Sequence, residues 1–284
     1  MKILHLLLSA LFLSLPGSAL FAEQNSSIAA IQELSSSRAS VAEPKVVGQD
    51  LTGENLFQAL HDYTFQHTSV GYGTAQRLLP TEVDGIEKDG RKGVICYYSN
   101  IFIECSGSKC TEKGDENHDG KAGDFINVEH SWPQSFFSKQ EPMRSDMHHL
   151  FPTLSVPNGQ RGHMPFSVVP KEDESEVSYQ TESGSKKTST YFEPSDVSKG
   201  NIARGLLYFA VTYTGSNVES GAFGNDFWDS KIETLMQWNR QDPPDAAEKH
   251  RNEVIAKYQG KRNPFIDDPS LVDKIGAAVW KKMH

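Results

Sequence analysis

Phe125-Ile126-Asn127-Val128-Glu129-His130 reads as a short strand that runs directly into Ser131-Trp132-Pro133-Gln134-Ser135, where proline stops it. Neighbours in a strand point to opposite faces. A carboxylate and an imidazole side by side therefore serve one site only where the backbone bends, and Ser131-Trp132-Pro133 supplies a bend. Glu129 offers the kind of oxygen a hard ion such as Mg2+ takes. A neutral His130 beside it can accept a proton from water near pH 7. Asn158, 28 residues further on, adds a neutral oxygen ligand, and Arg161 stands one helical turn beyond it, so both can face one site. Arginine holds phosphate bidentately. So small a ligand set leaves room around Mg2+ for water and substrate phosphates. Four of the ten histidines, His130, His148, His149 and His163, fall in this same window with Asp146. Such clustering of ligand and acid–base types marks the candidate site.

The window sits in a chain of 284 residues with 22 Gly, 14 Pro and 3 Cys. At roughly 100–200 residues per domain this is one large domain or two small ones, long enough to build a core without a disulfide scaffold. Outside the N-terminus no apolar run approaches the ~20 residues of a membrane span. A net charge of −9 argues against gripping nucleic acid by bulk positive charge. It leaves room for a local basic groove, for which Lys186-Lys187 and Lys257, Lys261 and Arg262 are candidates. Met1-Lys2, the apolar run Ile3–Leu15, then Pro16, Gly17 and small residues have the three parts of a secretory signal peptide, assigned to residues 1–22. A membrane anchor is the competing reading, weakened by the short run and Pro16-Gly17. Cleavage removes Lys2 and no acid, leaving −10. Residues 23–48, Ser-, Ala- and Glu-rich at first, read as a flexible segment, and 49–284 as one domain.

Export brings the chain into an oxidising compartment. Of three cysteines, Cys105 and Cys110 closing a small loop is the first choice and Cys96–Cys105 the alternative. Cys96, within Val94-Ile95-Cys96-Tyr97-Tyr98, reads as a small buried side chain. Apolar spacing predicts a helix over 53–66, and residue types predict a strand over 93–104 and a polar excursion with a hairpin over 171–190. The last third turns helical: Ile202 to Tyr213 with Gly215 as stop, a second helix marked by Ile232, Leu235 and Met236, a third capped by Asp242-Pro243 and ended by Gly260, with Val254, Ile255 and Tyr258 as its apolar face, and a last over 269–282. Sparse strands followed by helices give an α+β class.

Five blocks in order resemble the endonuclease I family of secreted and periplasmic nucleases. They are Asn127 to Ser135, Ser145-Asp146-Met147-His148-His149-Leu150-Phe151-Pro152, Asn158-Gly159-Gln160-Arg161-Gly162, Phe192-Glu193-Pro194 with Gly200-Asn201-Ile202-Ala203-Arg204-Gly205, and Arg251 to Phe265. The resemblance spans roughly residues 50–270. It implies a ββα-metal (His-Me finger) core with a mainly helical C-terminal half. It also implies a divalent ion, usually Mg2+ with Mn2+ or Ca2+ as alternatives, and cleavage of DNA and often RNA with little sequence preference. Carried over by motif, Glu129 and Asn158 bind the metal, His130 is the general base, and Arg161 is a phosphate or structural contact. Arg204 is a further phosphate candidate, and Asp146 and His148 support the site from behind. Arg144 receives no catalytic role. The product is a secreted or periplasmic enzyme, expected to be monomeric and free of the membrane after signal cleavage.

A second metal signal lies just upstream. Asp115-Glu116-Asn117-His118-Asp119-Gly120-Lys121-Ala122-Gly123-Asp124 places oxygen ligands at alternate positions and glycine at the sixth, as a Ca2+ loop begins. The candidate ligands are Asp115, Asn117, Asp119, Lys121 and Asp124. Ile126 stands where such a loop has its twelfth-position glutamate, so Asp124 is the residue expected to close the shell. An acidic, Gly-rich turn is the plain alternative. Two readings compete with the nuclease: a Zn2+ hydrolase using His130, His148 or His149, and His163, though no H-E-x-x-H motif is present, and a non-catalytic exported Ca2+-binding protein. Trp132 and Phe136-Phe137 could stack bases, but core packing is the simpler reading.

Overall fold

A computed structural model describes residues 47, 48, 50–107 and 109–282. The predicted signal peptide and all but the last two residues of the segment 23–48 lie outside the described residues. Helix α1 (Gly53–Thr64) carries the stripe Leu56, Phe57, Leu60 and Tyr63 that its spacing predicts, the first three buried and Tyr63 half-buried. Helix α2 (Tyr72–Leu78) follows and continues as a π-helical turn over Leu79–Val83.

Strands β1 (Ile86–Lys88), β2 (Arg91–Ile95), β3 (Phe102–Ser106) and β4 (Lys109–Cys110) form an antiparallel sheet in sequence order. The single strand expected over 93–104 is therefore a hairpin. Cys96 and Ile101 close it through backbone bonds, and Asn100 takes a positive φ of 52° at the turn. Cross-strand partners Cys105 and Cys110 are disulfide-bonded, and Cys96 is a free, buried thiol.

Strand β5 (Ile126–His130) pairs antiparallel with β6 (Leu150–Leu154), Glu129 opposite Phe151 and His130 opposite Leu150. Helix α3 (Ser155–Arg161) follows β6 without a loop. Two strands and a helix thus bring residues 126–161 together, with the excursion 131–149 folded between the strands. Strands β7 (Tyr179–Gln180), β8 (Lys186–Lys187) and β9 (Phe192–Glu193) form a small third sheet within the predicted polar excursion and just beyond it.

The C-terminal part is helical: α4 (Lys199–Tyr213), α5 (Ile232–Gln241), α6 (Ala246–Gln259), α7 (Pro264–Asp267), α8 (Leu271–Ile275) and α9 (Ala277–Trp280). Helix α4 is buried along almost its whole length and packs against α1 and α5. Three sequence expectations shift. The cap of α6 is Asp245, whose carboxylate accepts from the Glu248 amide at 2.7 Å, whereas Asp242 ends α5 and accepts from the Gly200 amide. Tyr258 lies at the surface and leaves the apolar face of α6 to Val254 and Ile255. The last helix divides at Gly276, whose φ of 84° only glycine adopts freely. Mixed helices and small antiparallel sheets make the class α+β. No helix among the described residues is long and apolar enough to cross a membrane.

Candidate active site

Glu129 and His130 occupy the end of β5, and the bend after them is held by the Ser131 amide on the His149 carbonyl. Both side chains are buried although they are neighbours in the strand. Glu129 is 3% exposed. Its Oε1 accepts from the Tyr98 hydroxyl at 2.8 Å and from Arg161 Nη1 at 2.6 Å, while Oε2 makes no hydrogen bond among the described residues. Burial pushes the carboxyl up, and Arg161 and the Tyr98 bond pull it back.

His130 packs its ring near Tyr72, Phe137 and His149. Its Nε2–H donates to the Arg144 carbonyl at 3.1 Å, which sets the tautomer and leaves the Nδ1 lone pair uncommitted. Burial, with His149 alongside, lowers its pKa to about 3, so the ring is neutral at pH 7.

Arg161 corrects a sequence expectation. The guanidinium is 0% exposed and has no access to a phosphate. It donates to Glu129 Oε1, to the carbonyls of His130 (3.0 Å) and Ser131 (2.8 Å), and through Nε to Met164 O (3.0 Å), and it lies 4.2 Å over the Phe166 ring. Of the two contacts the motif allowed, the structural one is realised. Arg204 is corrected for the same reason: fully buried, it forks onto Glu248 at 2.8 and 2.5 Å and donates to the Asp242 carbonyl. Asn158 lies one turn before Arg161 on α3, half-buried, and its side chain has no hydrogen-bond partner among the described residues.

Two residues at the site carried no functional signal in the sequence. Tyr72 faces His130 with ring centroids 5.5 Å apart, and the Arg144 guanidinium lies 4.2 Å over the Tyr72 ring. Arg144 Nε is buried without a hydrogen bond, and the side chain forms no ion pair among the described residues. The guanidinium stacked on Tyr72 thus belongs to the residue whose own carbonyl holds His130. Only the fold joins α2 to residue 144.

Behind the site, Asp146 is buried against the Tyr213 hydroxyl (2.9 Å), Gln259 Nε2 (2.8 Å) and His67 (3.5 Å). Burial would raise its carboxyl, but His67, His148, His149 and Gln259 hold it at about 2. His148 Nε2 donates to Lys261 O at 2.9 Å and His149 Nε2 to Met143 O at 2.7 Å; each Nδ1 is buried without a partner. Trp132, Phe136 and Phe137 are core residues. His163 is exposed beside Phe136 and Phe223. Of the predicted basic patches, Lys186 pairs with Glu174, Lys257 with Glu253 and Arg262 with Asp267, while Lys187 donates to Gln160 and Lys261 stacks on Tyr63.

These histidines set an acid limit to stability. Burial lowers both His148 and His149 to about 4, against the Asp146 charge, and a proton arriving at either Nδ1 finds no acceptor. The folded-state pKa lies below the unfolded value of about 6.5, so between pH 6.5 and 4 the unfolded chain binds more protons and stability falls as pH falls. The loss is about 3 kcal/mol per ring, and on the order of 5 kcal/mol for the coupled pair. Urea midpoints should hold above pH 7 and drop steeply from pH 6 to 5, and His148→Gln should flatten that drop. A midpoint constant from pH 7.5 to 5 would contradict it.

A sequence model of the Endonuclease I family matches residues 52–270. An extracellular ribonuclease of Bacillus subtilis (strain 168) is 34% identical over 236 residues, covering 79% of this chain and 75% of the relative. The extracellular ribonuclease of Bacillus amyloliquefaciens is 32% identical over 79% of this chain and 74% of its own length. A periplasmic deoxyribonuclease of Aeromonas hydrophila is 28% identical over 159 residues, 56% of each chain.

Proposed function

Because the chain belongs to the endonuclease I family, we propose that it is an exported, largely sequence-independent endonuclease that hydrolyses phosphodiester bonds of DNA and RNA, working as a monomer in the periplasm or outside the cell. The observation that carries this reading is the state of His130: neutral, its Nε2–H held by a carbonyl and its Nδ1 free, next to a buried carboxylate with one oxygen unused. The succession β5–β6–α3 supports a ββα-metal core within a single domain spanning residues 49–284, preceded by a cleaved signal peptide over 1–22.

Glu129 Oε2 and the unpartnered Asn158 amide are oxygen donors of the type Mg2+ accepts, and a carboxyl raised by burial is one that a cation would stabilise in its charged form. Glu129 and Asn158 would hold Mg2+, or Mn2+ or Ca2+, which when bound supplies positive charge to the scissile phosphate and the leaving 3′ oxygen. His130 Nδ1 takes a proton from the attacking water as its oxygen bonds to phosphorus in line with the P–O3′ bond. That bond breaks, the 3′ oxygen is protonated from solvent, and the products carry 5′-phosphate and 3′-hydroxyl ends. Since water attacks, the 2′-hydroxyl is not needed and either sugar serves. Arg161 anchors Glu129, and Arg144 is the group placed to draw in the phosphate backbone.

The test is nicking of supercoiled plasmid and degradation of RNA by the chain from residue 23, with Mg2+ and with chelator. Metal-dependent cleavage of both is expected. No cleavage with Mg2+, Mn2+ or Ca2+ by folded protein would refute the reading, and restoration by Zn2+ alone would favour the zinc hydrolase. Arg144→Ala should lower kcat/KM by about 10- to 100-fold with an unchanged melting midpoint, as expected for one lost charge-assisted phosphate contact. Arg144→Lys should recover part of it, and an unchanged kcat/KM in Arg144→Ala would remove the residue from the site.

A further inference from the structure

Residues 112–124, between β4 and β5, hold buried oxygen atoms that no cation of the protein meets among the described residues. The segment is closed by the Glu112 amide on Asp124 O (2.9 Å) and the Gly123 amide on Gly114 O (2.7 Å). Glu112 and Asp124 are buried, and no ion pair joins Glu112, Asp115, Asp119 or Asp124 to a basic group among the described residues. Burial raises the Glu112 carboxyl, and Asp124 and Asp119 push it further.

Independently of this acidic group, Asn117 is 1% exposed and its amide lies against Glu112, Nδ2 donating to Oε2 at 2.7 Å. Its Oδ1 is buried with no hydrogen bond, and so is Asp119 Oδ2. The Tyr179 hydroxyl, also buried and unpartnered, feels the same three carboxylates, Glu112, Asp119 and Asp124. Two buried acceptors without donors, one of them on a carboxylate, are costly unless a cation meets them.

We propose that this segment binds a structural Ca2+ ion, separate from the catalytic metal, through Asn117 Oδ1 and Asp119 Oδ2, with backbone carbonyls and water completing the shell; Glu112, whose two oxygens accept from the Glu116 amide and Asn117 Nδ2, adds negative charge beside it. No three carboxylate, imidazole or thiol groups converge among the described residues, so the set is a mixed one of amide, carboxylate and carbonyl oxygens. Ca2+ accepts such sets with variable geometry, whereas Mg2+ demands a near-ideal octahedron. The membership differs from the motif's expectation. Asp115 spends both oxygens on the Asp119 and Gly120 amides. Asp124 does not close the shell: it accepts from the Phe125 and Val156 amides and the Ser155 hydroxyl, so it caps α3, the helix that carries Asn158. The ion thereby braces the approach to both β5 and α3.

The experiment uses the chain from residue 23, stripped with chelator. Tb3+ is titrated in while its emission is excited through tyrosine, Tyr179 being the adjacent donor, and melting is followed with and without Ca2+. Wild type should show saturable emission displaced by Ca2+, and saturating Ca2+ should raise the melting midpoint by about 5 °C or more. Asp119→Ala, its fold verified by circular dichroism and made together with Asn158→Ala so that the catalytic site contributes no response, should lose both responses, and Asn158→Ala alone should keep both. Absence of both responses in wild type, or their retention in Asp119→Ala with Asn158→Ala, overturns the proposal. Neither readout depends on cleavage, so failure of the nuclease reading leaves this result distinguishable.

Discussion

His130→Ala is expected to lower plasmid nicking by about 10³-fold, within the range for loss of a positioned general base, while the protein remains folded at 25 °C. The imidazole does not anchor the core. It makes one hydrogen bond, to the Arg144 carbonyl, and its other nitrogen is free. Removing it opens a space of imidazole shape beside Tyr72 and Phe137. Added imidazole should therefore restore part of the rate, in proportion to its neutral form and so rising with pH towards and beyond 7. A merely structural histidine would show no such rescue. Nicking by His130→Ala at the wild-type rate would sink the assignment.

The largest stability loss is expected at Arg161. Arg161→Ala removes four hydrogen bonds and leaves Glu129 buried beside Tyr98 without its counter-charge. Breaking such a pair costs about 3–5 kcal/mol, a large share of the roughly 5–15 kcal/mol that holds a domain folded. Arg161→Lys should rescue little, because an ammonium cannot reach three carbonyls and a carboxylate from one planar fork. Urea unfolding measures this directly. The double variant Arg161→Met with Glu129→Gln should regain much of the loss, since neither charge is then buried alone, and should still not cleave. An Arg161→Ala variant that melts like wild type but turns over poorly would show instead that the residue contacts phosphate.

Much of the fold was legible because its signals are local. The stripe Leu56, Phe57 and Leu60, the strand ending in Glu129-His130, the helix stopping at Gly215 and the Gly260 terminus each follow from spacing or a single residue's backbone preference. The errors are also local and physical. The run 93–104 is β-rich throughout, so its composition hid the turn at Asn100. Asp242-Pro243 and Asp245 both look like caps, and the choice went to Asp245 because Asp242 is taken by the Gly200 amide.

The chain's own letters determined the family, the α+β class, and the order in which its strands and helices follow one another. These depend on residue identity and short-range pattern. Tertiary structure alone decided which charges remain free. Arg161, Arg204 and Arg144 are the same residue type, and nothing near them in the chain tells them apart. Arg161 meets Glu129 across 32 residues and Arg204 meets Glu248 across 44, so both guanidiniums are neutralised and buried. Arg144 meets the face of Tyr72 and has no ion-pair partner among the described residues. A charge is spent or available according to the partner that folding brings to it, and that partner is set by long-range packing rather than by sequence neighbours.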